Sequence, residues 1–364
     1  LAIPYRIGAA PSSLDTVRVS LSPILTEPGS LTALALARLP TGVEDALALG
    51  VALGAGSPRP GDGRTRDLWE ALATIAAHDL GAVRAIEPHL DAVAIRATAG
   101  GSHRIGESSG TWGVFAAEGG PDPLTATMGA EPRLSGTKPW CSLADRLDHA
   151  LITARTDDGS GLFSVSLRHP GVVVQEGAWV ARGLREIPSG PVRFSEVPAR
   201  AVGRTGWYVE RAGFAWGGIG VAACWYGGAV GIARTVHATA AEAAAPDPHL
   251  LAHLGAIDEA LQCGRAVLAE AADSADSADS ADSADPTEAA MTARLTAKRV
   301  RATVARACED ILNRAGHALG PAPLALDPAH AKRVADLQLY IRQHHAERDL
   351  ESLGRTIADE PTPW

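Results

Sequence analysis

The feature that most constrains this chain is a change of hydrophobic period near Gly100 and its reversal after Trp207. Before Gly100 the period is helical. Leu68, Leu72, Ile75, Ala76 and Leu80 recur at the spacing of one helix face. Residues 31–38 and 43–53 read as short apolar helices, and 54–64 as a Gly/Pro-rich connector. Residues 68–97 read as a helix or bent pair, which Pro88 would end or kink because it has no amide donor. Between Gly110 and Val202 the runs shorten. Residues 151–156, 162–167, 172–175 and 192–194 are rich in β-branched and aromatic side chains. Asp157-Asp158-Gly159 predicts a hairpin turn, and Pro170-Gly171 and Pro188-Ser189-Gly190 punctuate the rest. Short strands at this spacing predict a small sandwich or barrel.

Helical period returns in four successive stretches. Residues 213–244 are apolar and full of small side chains, which let a helix approach another backbone or a ligand closely. Residues 250–272 carry Leu254, Ile257, Leu261 and Leu268 on one stripe, and 287–319 carry Ala297, Val300, Val304, Cys308 and Ile311 on another. Residues 327–353 close the set with Val334, Leu337 and Ile341. This is the pattern of an antiparallel four-helix bundle. The Ser-Ala-Asp repeat at 273–285 is acidic and lacks large apolar groups, so a flexible loop is expected there. The expected fold class is therefore α+β and multidomain: a helical N-terminal domain (1–108), a middle β-sandwich or barrel domain (109–206) and a C-terminal helical bundle (207–364).

The net charge of −9 argues against a nucleic-acid partner, which requires a basic face. Cys141, Cys224, Cys263 and Cys308 have neither CxxC nor metal-ligand spacing. They read as buried reduced thiols, consistent with the cytoplasm, and no metal site is expected. Gly, Pro or charge interrupts every long apolar run, and residues 1–9 lack the charged start and apolar run of a signal peptide, so no membrane association is expected.

Local motifs add a resemblance. Trp112-Gly113-Val114-Phe115-Ala116-Ala117-Glu118-Gly119-Gly120 resembles the first flavin-facing segment of acyl-CoA dehydrogenases. Leu134-Ser135-Gly136-Thr137-Lys138-Pro139-Trp140-Cys141-Ser142 resembles their L-x-G-x-K-x-W-I-T segment. Pro170-Gly171-Val172, Gly183–Arg185 and Pro191–Phe194 followed by Val197-Pro198 resemble the strands and turn that follow. Gly227–Ala233 is similar to the first bundle helix, and the resemblance spans roughly residues 68–355.

The resemblance implies an acyl-CoA dehydrogenase-like fold, an FAD cofactor, an acyl-CoA or related thioester substrate and a homo-oligomer, dimer or tetramer. A flavin ring needs an apolar platform and a few fixed donors at its polar edge. The resemblance gives those tasks to Trp140, to the Ser142 hydroxyl and to the backbone of Phe115, Ala116 and Ala117, with Gly320 in the pyrophosphate loop. Taking Arg342 as the family arginine places the α-proton base at Glu351; Glu347, Asp349 and His345 compete nearby. Three departures stand out. Residues 239–249 lack the R-x-x-F-G element, Pro321 and Pro323 interrupt the phosphate loop, and Ala117 replaces a threonine. They leave two other readings open: a flavin-dependent monooxygenase on the same fold, or a non-catalytic homologue acting as a scaffold or subunit partner.

Overall fold

The computed structural model describes residues 17–19, 30–99, 109–280 and 286–360. Four helices come first: α1 (Leu31–Leu36), α2 (Val43–Gly54), α3 (Thr65–His78) and α4 (Leu80–Ala99). The break in the expected 68–97 helix falls at Asp79, not at Pro88, which sits inside α4. Asp79 is extended (φ −153°, ψ 121°), and its carboxylate accepts from the Ala82 N–H at 2.8 Å, capping the helix it starts.

Eight strands follow: β1 (Trp112–Phe115), β2 (Thr125–Thr127), β3 (Arg133–Lys138), β4 (His149–Thr156), β5 (Gly159–Ser166), β6 (Val172–Val174), β7 (Val192–Pro198) and β8 (Arg200–Val202). They form one sheet in the order β6-β7-β3-β2-β4-β5-β8, with β1 parallel to β4. Two halves meet where β2 pairs with β4 at Thr125 and Arg155. The expected hairpin joins β4 to β5, whose register ends at Thr156 opposite Gly159. Gly159 has φ +126°, which an L side chain would strain. The His89 Nδ1 accepts from the Trp112 N–H at 3.2 Å and ties α4 to β1.

The chain then returns to helix: α5 (Trp207–Glu210), α6 (Ala212–Glu242), α7 (Pro248–Ser280), α8 (Pro286–Leu319), α9 (Pro321–Leu326), α10 (Pro328–Tyr340) and α11 (Glu347–Ala358), with a 3-10 turn at Ile341–Gln343. Helix α6 is long and apolar enough to span a membrane, yet most of it is covered by α3, α7, α8 and α10. Its small residues serve close approach to a backbone. A Cβ on Gly227 would lie 2.1 Å from the Ala73 carbonyl oxygen, and one on Gly231 would lie 2.8 Å from that of Ala77.

Two expectations are corrected here. The Ser-Ala-Asp repeat is helical as far as Ser280, as the end of α7; residues 281–285 lie outside the described residues. Asp273 pairs with Arg66, and Asp276 accepts from the Gly63 N–H (3.0 Å) and the Thr65 hydroxyl (2.5 Å) at the start of α3. Repeated alanine favours helix, and the aspartates find donors that a solvated loop would not offer. The expected single helix over 327–353 is two helices. The backbone turns at His344–Ala346, where Ala346 has φ +46°. Of the cysteines, Cys141, Cys224 and Cys308 are buried as expected, whereas Cys263 is exposed.

Candidate functional site

The strongest local constraint lies just after β3. Cys141 N–H donates to the Gly190 carbonyl at 3.0 Å and Leu143 N–H to that of Pro188 at 2.8 Å, so residues 141–143 are stitched to the segment entering β7. Trp140 and Leu143 both have left-handed backbones, φ +59° and +57°. This geometry turns the Trp140 indole outward, 60 % exposed, with its edge toward Trp179 at 6.4 Å. An exposed indole held by a strained backbone offers area to a ligand rather than to the core.

Below it, Lys138 is fully enclosed. Its ammonium donates to the Thr153 carbonyl (2.7 Å) and hydroxyl (2.8 Å) and to Glu118 (3.1 Å). Glu118 thereby fixes the turn that follows β1. Phe115 is buried, Ala116 half-buried and Ala117 exposed. Gly119 and Gly120 have φ +136° and +91°, with open space where a Cβ would stand. A flat ring can approach the backbone there.

Ser142 is buried, and its hydroxyl is already engaged. It accepts from Arg84 at 3.0 Å and lies 2.7 Å from the Ser189 hydroxyl. Ser189 donates its one hydrogen to the Ile187 carbonyl at 3.0 Å, so Ser142 donates to Ser189. The chain of donors runs Arg84, Ser142, Ser189, Ile187. In this geometry the Ser142 hydroxyl is engaged within the protein, and the Arg84 guanidinium beside it carries further hydrogens. Phe115 and Ser142 line one small cleft between α4 and β1 together with Arg84.

Behind Arg84 lies a charged cluster between α4, α6 and α8. Glu87 stands 3.9 Å from Arg84 with 13 % of its side chain exposed, and burial pushes its carboxyl up to about 7. Asp91, one turn on, is also raised by burial and lies 3.7 Å from Arg211. Arg301 spans the gap, donating to the Gly218 carbonyl at 2.7 Å and that of Gln343 at 3.0 Å while stacking over Trp225. Charged residues at i, i+3 and i+7 on a mostly apolar helix were the available signal for Arg84, Glu87 and Asp91. Ser189 and Arg301 carried none.

Glu351 is not brought to this site. It lies on α11, none of whose residues is buried, and it pairs with Arg355 one turn on. The buried acid of the segment is Asp336, whose carboxylate accepts from Leu184 N–H at 2.6 Å and from Lys332 at 2.7 Å. Beyond α10 and the 3-10 turn the chain reaches His344. That imidazole is buried, with Nε2 3.9 Å from Asp349, and burial pushes its basicity down. Competing candidates fare similarly: His345 and Asp349 pair with each other at 3.4 Å, and Glu347 begins α11.

Gly320 is likewise separate. It has φ +66° at the corner between α8 and α9, with open space around its Cα. Because α9 begins at Pro321, and Pro323 follows, two of the four amides a pyrophosphate would seek are missing. The exposed Trp140 indole and the open Gly119–Gly120 turn leave surface free for a flat ring, whereas the Gly320 corner does not fit the pyrophosphate of FAD.

No family model matches the sequence, and no curated relative does. Solved structures are similar in fold. KijD3 in complex with FMN and dTDP-3-amino-2,3,6-trideoxy-4-keto-3-methyl-D-glucose superposes with a TM-score of 0.78 at 20 % identity, over 94 % of this chain and 96 % of that one. A nitrososynthase from Micromonospora carbonacea var. africana gives 0.75 at 18 %, over 94 % and 99 %. FMN-bound TdsC, a dibenzothiophene monooxygenase from Paenibacillus sp. A11-2, gives 0.75 at 18 %, over 92 % and 98 %. With these likenesses over nearly its whole length, the chain shares the fold of these solved structures.

Proposed function

We propose that this chain is a flavin-dependent monooxygenase that uses FMN. The observation that carries the reading is the turn after α10, which presents a buried imidazole, His344, while the carboxylate of Glu351 is exposed on α11. The FMN held by KijD3 and TdsC supports the choice of cofactor, as does the proline-broken corner at Gly320. In this reading Trp140 and the Gly119–Gly120 turn hold the ring, and Arg84 supplies a charged donor beside Ser142. His344, neutral because burial disfavours its charged form, accepts a proton from the substrate or holds its hydroxyl in place. Bound reduced flavin supplies the chemistry of activating dioxygen. The exposure of Trp140 supports a homo-oligomer in which a second copy covers the ring.

One observation favours the alternative, dehydrogenation of an acyl thioester: Glu87, with its carboxyl raised to about 7, is a suitable proton acceptor. The two readings separate in one experiment. Protein loaded with reduced FMN is exposed to 18O-labelled dioxygen with an aromatic or amine substrate. Label in the product is the expected result. Anaerobic bleaching of the oxidised flavin by an acyl-CoA, with no label transferred, overturns it.

A further inference from the structure

The segment between β6 and β7 walls a cavity of about 630 Å3 with Cys141 and Ala144. That size lies within the roughly 300–1,000 Å3 of small-molecule sites. Its backbone is pinned. Leu184 N–H donates to Asp336 at 2.6 Å, and Ile187 N–H to the Leu184 carbonyl at 3.0 Å. The same carbonyl takes the Trp179 indole N–H at 3.1 Å. A Cβ on Gly183 would lie 2.0 Å from the Ala335 carbonyl oxygen, so the turn is pressed against α10.

Arg182 and Arg185 flank this pinned pair, line the cavity and are exposed. Neither makes an ion pair or hydrogen bond among the described residues, although Asp145 and Glu176 line the same cavity. Asp145 is held 3.9 Å from Arg146, and Glu176 is exposed in the turn before Gly177. Two guanidinium groups on a fixed backbone, left unpaired with carboxylates close by, are preorganised for an anion with several acceptor oxygens. The half-buried Trp179 indole, its N–H already spent, presents an apolar face to the organic part of such a ligand.

We propose that this cavity recognises phosphate, with Arg182 and Arg185 taking the phosphate group of a ligand whose organic part lies along Trp179. The group belongs either to the flavin mononucleotide itself or to a phosphorylated substrate; only the first source rests on the flavin reading. The test is calorimetric titration of the full-length protein with FMN, riboflavin, pyrophosphate and adenosine diphosphate, repeated on the Arg182→Ala/Arg185→Ala variant. Both side chains are exposed and unpaired, so the thermal midpoint of the variant should match that of the parent. A loss of about tenfold or more is expected. If it falls on FMN while riboflavin is unaffected, the flavin supplies the phosphate. If it falls on pyrophosphate and adenosine diphosphate alone, a substrate does, and this outcome stands even if no flavin binds. Arg182→Lys/Arg185→Lys should recover part of the lost affinity, since charge is kept and the bidentate fork is not. Unchanged affinity for all four probes, or no binding of any phosphate by the parent protein, overturns the proposal.

Discussion

The two sides of Ser142 are built on opposite principles. Outward lies the Trp140–Trp179 corner, with Trp140 exposed on left-handed backbone and Arg182 and Arg185 nearby without partners among the described residues. Inward lies the Arg84–Glu87–Asp91–Arg301 cluster, where Arg84 stands beside Glu87, Arg211 beside Asp91, and Arg301 is spent on two carbonyls. The outer side keeps its binding capacity unspent; the inner side uses its capacity on itself. A side chain with unspent hydrogens is available to a ligand, whereas one already satisfied sets the position of its neighbours. Ser142 sits at the boundary, and its hydroxyl belongs to the inner side.

The contrast predicts unequal costs. Arg301→Ala should have the largest effect, about 3–5 kcal/mol of stability, because it leaves Glu87 buried with less compensation and frees two carbonyls. The midpoint and slope of urea unfolding measure it, and a loss below about 1 kcal/mol would break the picture of a self-compensating interior.

Next comes pH. The Glu87 carboxyl is raised from 4.5 to about 7 in the fold, so the folded state binds more protons than the unfolded state between those values. Its contribution is fully present below about pH 4.5 and is lost as pH rises through about 7. Glu87→Gln should therefore match the parent near pH 4.5 and exceed it by up to about 3 kcal/mol near pH 8. Parallel stability-versus-pH curves for the two proteins would remove Glu87 as the titrating group.

Ser189→Ala takes away the acceptor of the Ser142 hydrogen and should cost about 1 kcal/mol. It also frees that hydrogen for a ligand, so a flavin absorption band that shifts in this variant would confirm the direction of the donor chain. The smallest effect is expected at Glu351. An exposed pair with Arg355 contributes little, so Glu351→Gln should change stability by less than about 0.5 kcal/mol and leave turnover intact. A large loss of turnover would return Glu351 to the role of base.

Much of the architecture was legible. The helix–strand–helix order, the β4–β5 hairpin and the close-packing glycines of α6 follow from period and residue size, which are local properties. Failures came where a distant partner decided the outcome. Asp276 looked like part of a solvated repeat until α3 offered it donors, and Pro88 looked like the helix break until Asp79 capped a new helix first. The site divides similarly. Trp140 and the Gly119–Gly120 turn stand out as motifs in sequence, whereas nothing near Ser142 in sequence reveals Arg84 or Ser189. Counting from Arg342 reaches Glu351, which is exposed, whereas Asp336 and His344 in the same stretch are buried, and no count along the sequence reveals burial.

The sequence alone determined which segments are helix or strand and which backbones had to come close, because hydrophobic period and side-chain size act on neighbouring residues. The tertiary structure alone decided which polar hydrogens are free and which carboxyls burial pushes up. Those depend on burial and on partners brought from tens or hundreds of residues away, and no local pattern records them.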